Sequence, residues 1–282
     1  MGRGFAGAVA RRAGRSAATA GKVSVPQIHT YAAMATLLNL LVYAAAGVAP
    51  RALPAPVVGE QPFTVQPGET DRAVAERVVT LLHLSLATPV HNFNLGHDRS
   101  GQLTLDFYHA NGRHKITVFE NRLHIENSRA SFARYLSTLH VTTAAFRSGD
   151  ARMTWWSWYN EFAMWTLILM LATGVWMLVT RRGKPGAIRR THWITALVSA
   201  PLLALFAFTA VQMAHRTAAV LPAINALHRS RVVAPFASAA LLILTATGIF
   251  LWFDGRDRRT GAALLTFGAL VSGGLILCMR AG

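Results

Sequence analysis

The sequence predicts an all-α transmembrane helix bundle of five helices, a 2+2 internal repeat plus one, with a small α+β insert outside the membrane between the first two spans. Three observations carry that prediction. Five stretches contain no Asp, Glu, Lys or Arg and are long enough to cross the bilayer: Ser24–Pro50, Phe162–Thr180, Thr191–His215, Val232–Phe253 and Thr260–Met279. Two of them close on related phrases, "LATGVWMLVTRR" from Leu171 and "TATGIFLWFDGR" from Thr245. Between the first two lies a charged stretch with amphipathic and alternating patterns.

In chain order, residues 1–23 form a basic leader with Arg3, Arg11, Arg12, Arg15 and Lys22 and no acid. Gly2, Gly4 and Gly7 have G-x-G-x-x-G spacing, but no strand precedes them, so no nucleotide site follows. Span one, 24–50, is too long for the apolar region of a signal peptide and reads as a retained anchor. The 51–146 segment is the insert. Its "GETDRAVAERVVTLLHLSL" places Thr70 as a cap, Asp71 in the first turn and Val74, Val78, Leu81 and Leu82 on one face, an amphipathic helix. Then Leu103, Leu105 and Phe107 alternate, a turn is expected at Asn111-Gly112, and Ile116 and Val118 resume the alternation, the pattern of a hairpin. "NRLHIE" adds a third strand and "ASFARYLSTLH" a helix leading back to the membrane.

Residues 147–180 hold span two with its lead-in, and 181–190 form a loop with Arg181, Arg182, Lys184, Arg189 and Arg190. Spans three (191–215) and four (232–253) are joined by 216–231, and span five covers 260–279. The acid-free basic segments, the leader and the 181–190 loop, belong on the cytoplasmic side, which puts the insert and the C-terminus outside. The Trp and Arg of the repeated phrase mark a helix leaving the bilayer, and its glycines mark close approach of a neighbour.

The bulk numbers agree. The chain of 282 residues is 52% hydrophobic and only 14% charged, so its net charge of +16 is topological and not the footprint of a nucleic-acid-binding face. The lone Cys278 excludes an intrachain disulfide, a cysteine-ligated metal cluster and a C-x-x-C-H haem attachment. Any cofactor must use other ligands.

Histidine supplies them. The insert carries His83, His91, His97, His109, His114 and His124, but without metal-ligand spacing. The membrane histidines stand at helix ends. His29 begins span one and Gly47 follows eighteen residues on; His192 begins span three and Ala210 follows at the same interval. At about 100° per residue, eighteen residues is five whole turns, so imidazole and small residue share a face, with room for a flat group or a close neighbour. Both histidines lie near the cytoplasmic surface, where nitrogens from two helices can meet one iron. His140, His215 and His228 stand near the outer surface and can supply a second pair, roughly 35 Å away along span three. His215 lies about 140° round a regular helix from His192, so His228 is an alternative. Against this stands the plain reading of interfacial histidine and tryptophan as amphipathic anchors, which also covers Trp155, Trp156, Trp158, Trp193 and Glu161. Met164, Met170 and Met177 read as packing residues.

In order along the chain, His29, the helix–hairpin–helix insert, "LSTLH" ending at His140, "TGVWMLVTRR", "THW" at His192 and "TGIFLW" resemble the PepSY-associated transmembrane helix family, whose larger members include ferric-siderophore reductases of the bacterial inner membrane. The likeness covers roughly Gln27–Phe253, with span five outside it. It implies a PepSY-like periplasmic domain and one or two non-covalent haem b groups held by helix-end histidines: His29, His192, His140 and His215, or His228. It also implies electron transfer from quinone or a partner redox subunit to a periplasmic acceptor such as a ferric chelate. Two other classes compete: an accessory subunit of a larger membrane complex, and a PepSY-type regulator of a periplasmic peptidase.

Overall fold

The computed structural model describes residues 23–48, 54–84, 94–142, 150–180, 185–215, 226–228, 230–253 and 258–281; the leader, His91 and most of the 216–231 loop lie outside the described residues, as do the side chains of His109 and His215. The elements are α1 (Val25–Val48), β1 (Val57–Pro62), α2 (Asp71–Leu81), β2 (Asn94–His97), β3 (Leu103–His109), β4 (Gly112–Val118), β5 (Arg122–Arg129), α3 (Phe132–His140), α4 (Ala151–Thr180), α5 (Ala187–His215), α6 (Val233–Phe253) and α7 (Arg258–Ala281).

Five of these helices, α1, α4, α5, α6 and α7, are long and apolar enough to cross a membrane. None has a polar stripe to turn toward water, as suits helices solvated by lipid outside and by one another inside. Close pairs run from α1 to α4, α4 to α5, α5 to α6 and α6 back to α1, a four-helix ring with α1 and α5 on one diagonal. Small residues make the close approaches: Ala32, Ala44, Ala163, Ala207, Ala234 and Ala237 are buried. Gly47 belongs to this set. A Cβ there would overlap the Ser238 side chain and come 2.8 Å from the Ala234 carbonyl of α6, so the space opposite it holds a neighbouring helix and no flat group.

The fifth helix is not an appendage. α7 packs against α1 and α4, and a Cβ on Gly268 would overlap the Ala35 carbonyl of α1. A buried polar cluster joins the three helices: Ser272 Oγ donates to Asn39 Oδ1 at 2.9 Å, Tyr43 Oη to the Asn160 carbonyl at 2.9 Å, and Asn160 Nδ2 to the Thr142 carbonyl at 2.8 Å. Tyr159 donates to the Ala35 carbonyl.

The insert is a five-stranded antiparallel sheet in the order β1-β5-β4-β3-β2, with helix α2 against one face. Alternating Leu103, Leu105 and Phe107 on β3, Ile116 and Val118 on β4 and Leu123 on β5 meet Val74, Ala75 and Val78 of α2. Thr70 caps α2 by accepting from the Ala73 amide at 3.3 Å. β1 and β2 carry no clean alternation and are additions to the expected hairpin. The turn also differs. His109 pairs with Gly112, so the two-residue loop is Ala110-Asn111, one position earlier than the Asn-Gly signal places it. Gly112 is a strand residue with φ +151, where a Cβ would overlap the Ser128 carbonyl of β5. Asn111 is held by a tertiary bond, Nδ2 to the Met279 carbonyl at 2.7 Å.

α4 begins at Ala151, well before the charge-free stretch at Phe162. Its early turns are not uniformly an interfacial belt. Trp155 and Trp158 are exposed, but Trp156 is fully buried, with Nε1 donating to the Leu139 carbonyl at 2.9 Å. The insert and the start of α4 together grip the end of α7. Tyr135 Oη donates to the Ile276 carbonyl at 2.7 Å, Arg152 Nη1 to Cys278 at 3.2 Å, Asn111 to Met279, and Arg129 Nη2 to Arg280 at 3.5 Å. The Cys278, Met279 and Arg280 carbonyls, which a helix end leaves without internal partners, are thereby satisfied from outside it.

Candidate functional site: a facing histidine pair

His29 and His192 stand near the starts of α1 and α5, the diagonal members of the ring, and their rings meet between those helices. The centroids are 6.5 Å apart and the planes lie at 85°. Each ring is held by the following helix of its own repeat. His29 Nδ1 lies 3.0 Å from Thr173 Oγ1 on α4, and His192 Nδ1 lies 2.7 Å from Thr247 Oγ1 on α6. The glycine after each threonine is where the imidazole rests: a Cβ on Gly174 would stand 3.4 Å from His29 Cε1, and one on Gly248 would stand 3.8 Å from His192 Cε1. The repeated Thr-Gly is thus half of a histidine seat, and the other half is the histidine one span earlier.

The two repeat endings diverge beyond that point. Trp176 is 60% exposed on α4, whereas Trp252 of α6 is only 8% exposed and lies against Gly261 at the start of α7. The turn back into α7 converts the second tryptophan from a surface residue into a packing one.

Of the outer histidines, the side chains of His140 and His228 are described and stand in separate settings. His140 ends α3 with Nδ1 donating to the Ser137 carbonyl at 2.6 Å, and burial pushes its pKa below the ordinary histidine value. His228, in the short helical turn at 226–228, has Nδ1 at 2.8 Å from Thr209 Oγ1 of α5 and stacks on Phe206 at 4.6 Å. Among the described residues, no ring contact joins His140 to His228. The insert histidines are dispersed: His97 lies 3.7 Å from Asp71, His124 lies 4.0 Å from Glu60, and His114 sits in β4 with its pKa lowered by burial. No three His, Cys, Asp or Glu side chains gather among the described residues.

The donor set can be tested against candidate groups. A metal bound by protein alone wants three or four ligands, and two imidazoles without carboxylate or thiolate do not supply them. Two imidazoles suffice when a macrocycle supplies the remaining ligands. His29 and His192, whose ring centroids lie 6.5 Å apart, are the pair that would hold such a group. The sequence points to both histidines and to the doubled Thr-Gly, whose glycines it marks as places of close approach; it assigns the threonines no role. Comparison of the chain with protein-family models, curated proteins and solved structures gives no match.

Proposed function

We propose that the protein is a b-type electron carrier of the bacterial inner membrane, binding one haem between His29 and His192. The 6.5 Å separation of two imidazoles on diagonal helices is the observation that carries this reading. Haem b, when bound, supplies reversible one-electron chemistry at iron. The chain's own residues would hold it: His29 and His192 as ligands, Thr173 and Thr247 orienting them, and apolar helices excluding water and lowering the local dielectric. Family resemblance favours the same assignment, with the insert as a PepSY-like periplasmic domain. The second pair expected from His140, His215 and His228 includes His215, whose side chain lies outside the described residues, so the centre proposed here is the one at His29 and His192. A single centre leaves most of a bilayer of roughly 30 Å to cross, so a quinone or partner redox subunit completes the path toward an outside acceptor such as a ferric chelate.

The test is an absorption spectrum of the detergent-solubilised full chain, oxidised and dithionite-reduced. Sharp reduced bands of six-coordinate haem b are expected, and His29→Ala or His192→Ala each removes the six-coordinate signal, because both ligate the same iron. A chain that stays colourless and takes up no added haemin would instead indicate an accessory subunit.

A further inference from the structure

We propose that Thr173 and Thr247 are positioning residues that fix the tautomer of the paired histidines, so that both rings offer an unprotonated Nε2 to a shared ligand. The inference rests on the histidine-pair reading but asks a separate question: which ring nitrogen carries the proton.

A neutral imidazole has one N–H and one lone pair, and the partner of one nitrogen decides the state of the other. A threonine hydroxyl has a single hydrogen to donate. At Thr173 that hydrogen is already engaged within α4, since Oγ1 donates to the Leu169 carbonyl at 2.8 Å, with the Met170 carbonyl at 3.2 Å. What remains on the oxygen is acceptor capacity, so the bond to His29 runs from Nδ1–H to Oγ1.

α6 repeats the device. Thr247 Oγ1 donates to Ile243 at 2.7 Å, with Leu244 at 3.2 Å, and then stands 2.7 Å from His192 Nδ1. If either hydroxyl donated to its histidine, both of its bonds to the preceding turn would be lost, and the ring would carry its proton on Nε2, the nitrogen a metal needs bare. Two repeats with the same donor order, on the two histidines whose rings meet, make a role in helix packing alone an insufficient account. A threonine that merely bends its helix by bonding the preceding turn needs no imidazole against it.

The test uses full-length protein with 15N-labelled histidine, without added metal or haemin, and His29→Ala and His192→Ala assign the resonances. Expected is the Nδ1–H tautomer at both rings; Thr173→Val shifts His29, and Thr247→Val shifts His192, toward the Nε2–H form, while the corresponding Ser variants keep the wild-type signature. In haem-loaded samples the Val variants should bind the ligand about 10- to 100-fold more weakly and admit carbon monoxide to the reduced iron, and the Ser variants should not. Unchanged tautomers in both Val variants would overturn the proposal, as would Val variants that hold haem with wild-type affinity and spectrum. If the nitrogen signature follows the threonines in a chain that binds no haem, the tautomer lock stands and the haem reading falls.

Discussion

Single residues show how few atoms govern this fold outside the site. Asp150 caps α4, its Oδ1 accepting from the Arg152 amide at 2.7 Å, and it also receives the Arg152 guanidinium, Nη2 to Oδ2 at 2.7 Å. Hydrogen bonding from the Arg152 side chain holds its carboxyl below the ordinary carboxylate range. A group depressed in the folded state stabilises it fully above the unfolded pKa of about 4 and loses that contribution as pH falls through the lower folded value. Thermal unfolding in detergent should therefore decline on the acid side, and Asp150→Asn should flatten that decline while keeping the cap. Asp150→Ala should lose the cap as well, at a cost of about 1 kcal/mol at neutral pH. Equal acid slopes in wild type and Asp150→Asn would show that the pairing with Arg152 does not matter to stability.

At the scale of elements, close backbone approach decides which helices and strands can be neighbours. Gly268 lets α7 lie against α1, and a methyl group there meets the Ala35 carbonyl, which cannot rotate away as a side chain would. Gly268→Ala should destabilise the bundle by roughly 1–3 kcal/mol and loosen α7 from α1, lowering disulfide crosslinking between cysteines placed at Leu38 and Gly273, residues that face each other in the wild type. Unaltered crosslinking would mean that α7 is held from elsewhere. Gly112→Ala in the insert meets both the Ser128 carbonyl and an unfavourable φ. It should shorten protease survival of the insert more than Gly59→Ala, because nothing lies near Gly59. Equal survival of the two variants would count against the tight β4–β5 junction.

The whole molecule is a ring of four helices, a fifth closing one side, and a sheet domain seated where α1, α3, α4 and α7 meet. Tyr135, Leu139, Trp156, Ile276 and Met279 form one buried cluster across that junction. The C-terminus is thus on the insert's side of the bundle. Cysteines at the C-terminus and on exposed Val57 should be labelled by the same membrane-impermeant reagent from the same side. Labelling from opposite sides would contradict this arrangement. Deleting residues 258–282 should release the insert from its seat, since Tyr135, Asn111 and Arg152 all lose acceptors.

The sequence by itself determined what depends on local composition: the charge-free lengths that become α1, α4, α5, α6 and α7, the capped helix after Thr70, the alternating strands around residues 103–118, and the place of His29 and His192 near the starts of two spans. Periodicity and hydropathy are properties of neighbouring residues, so one chain suffices to read them. Only the tertiary structure decided which histidines meet, that the glycine opposite each belongs to the next helix, and that α7 anchors the insert. The eighteen-residue offset suggested that Gly47 served the His29 face, yet it packs on Ser238, while Gly174 and Gly248 do the seating. The physical reason is that apolar helices in lipid carry almost no outward mark of their inner face. Partners separated by 144 and 55 positions, His29 with Thr173 and His192 with Thr247, are chosen by helix packing and not by spacing along the chain.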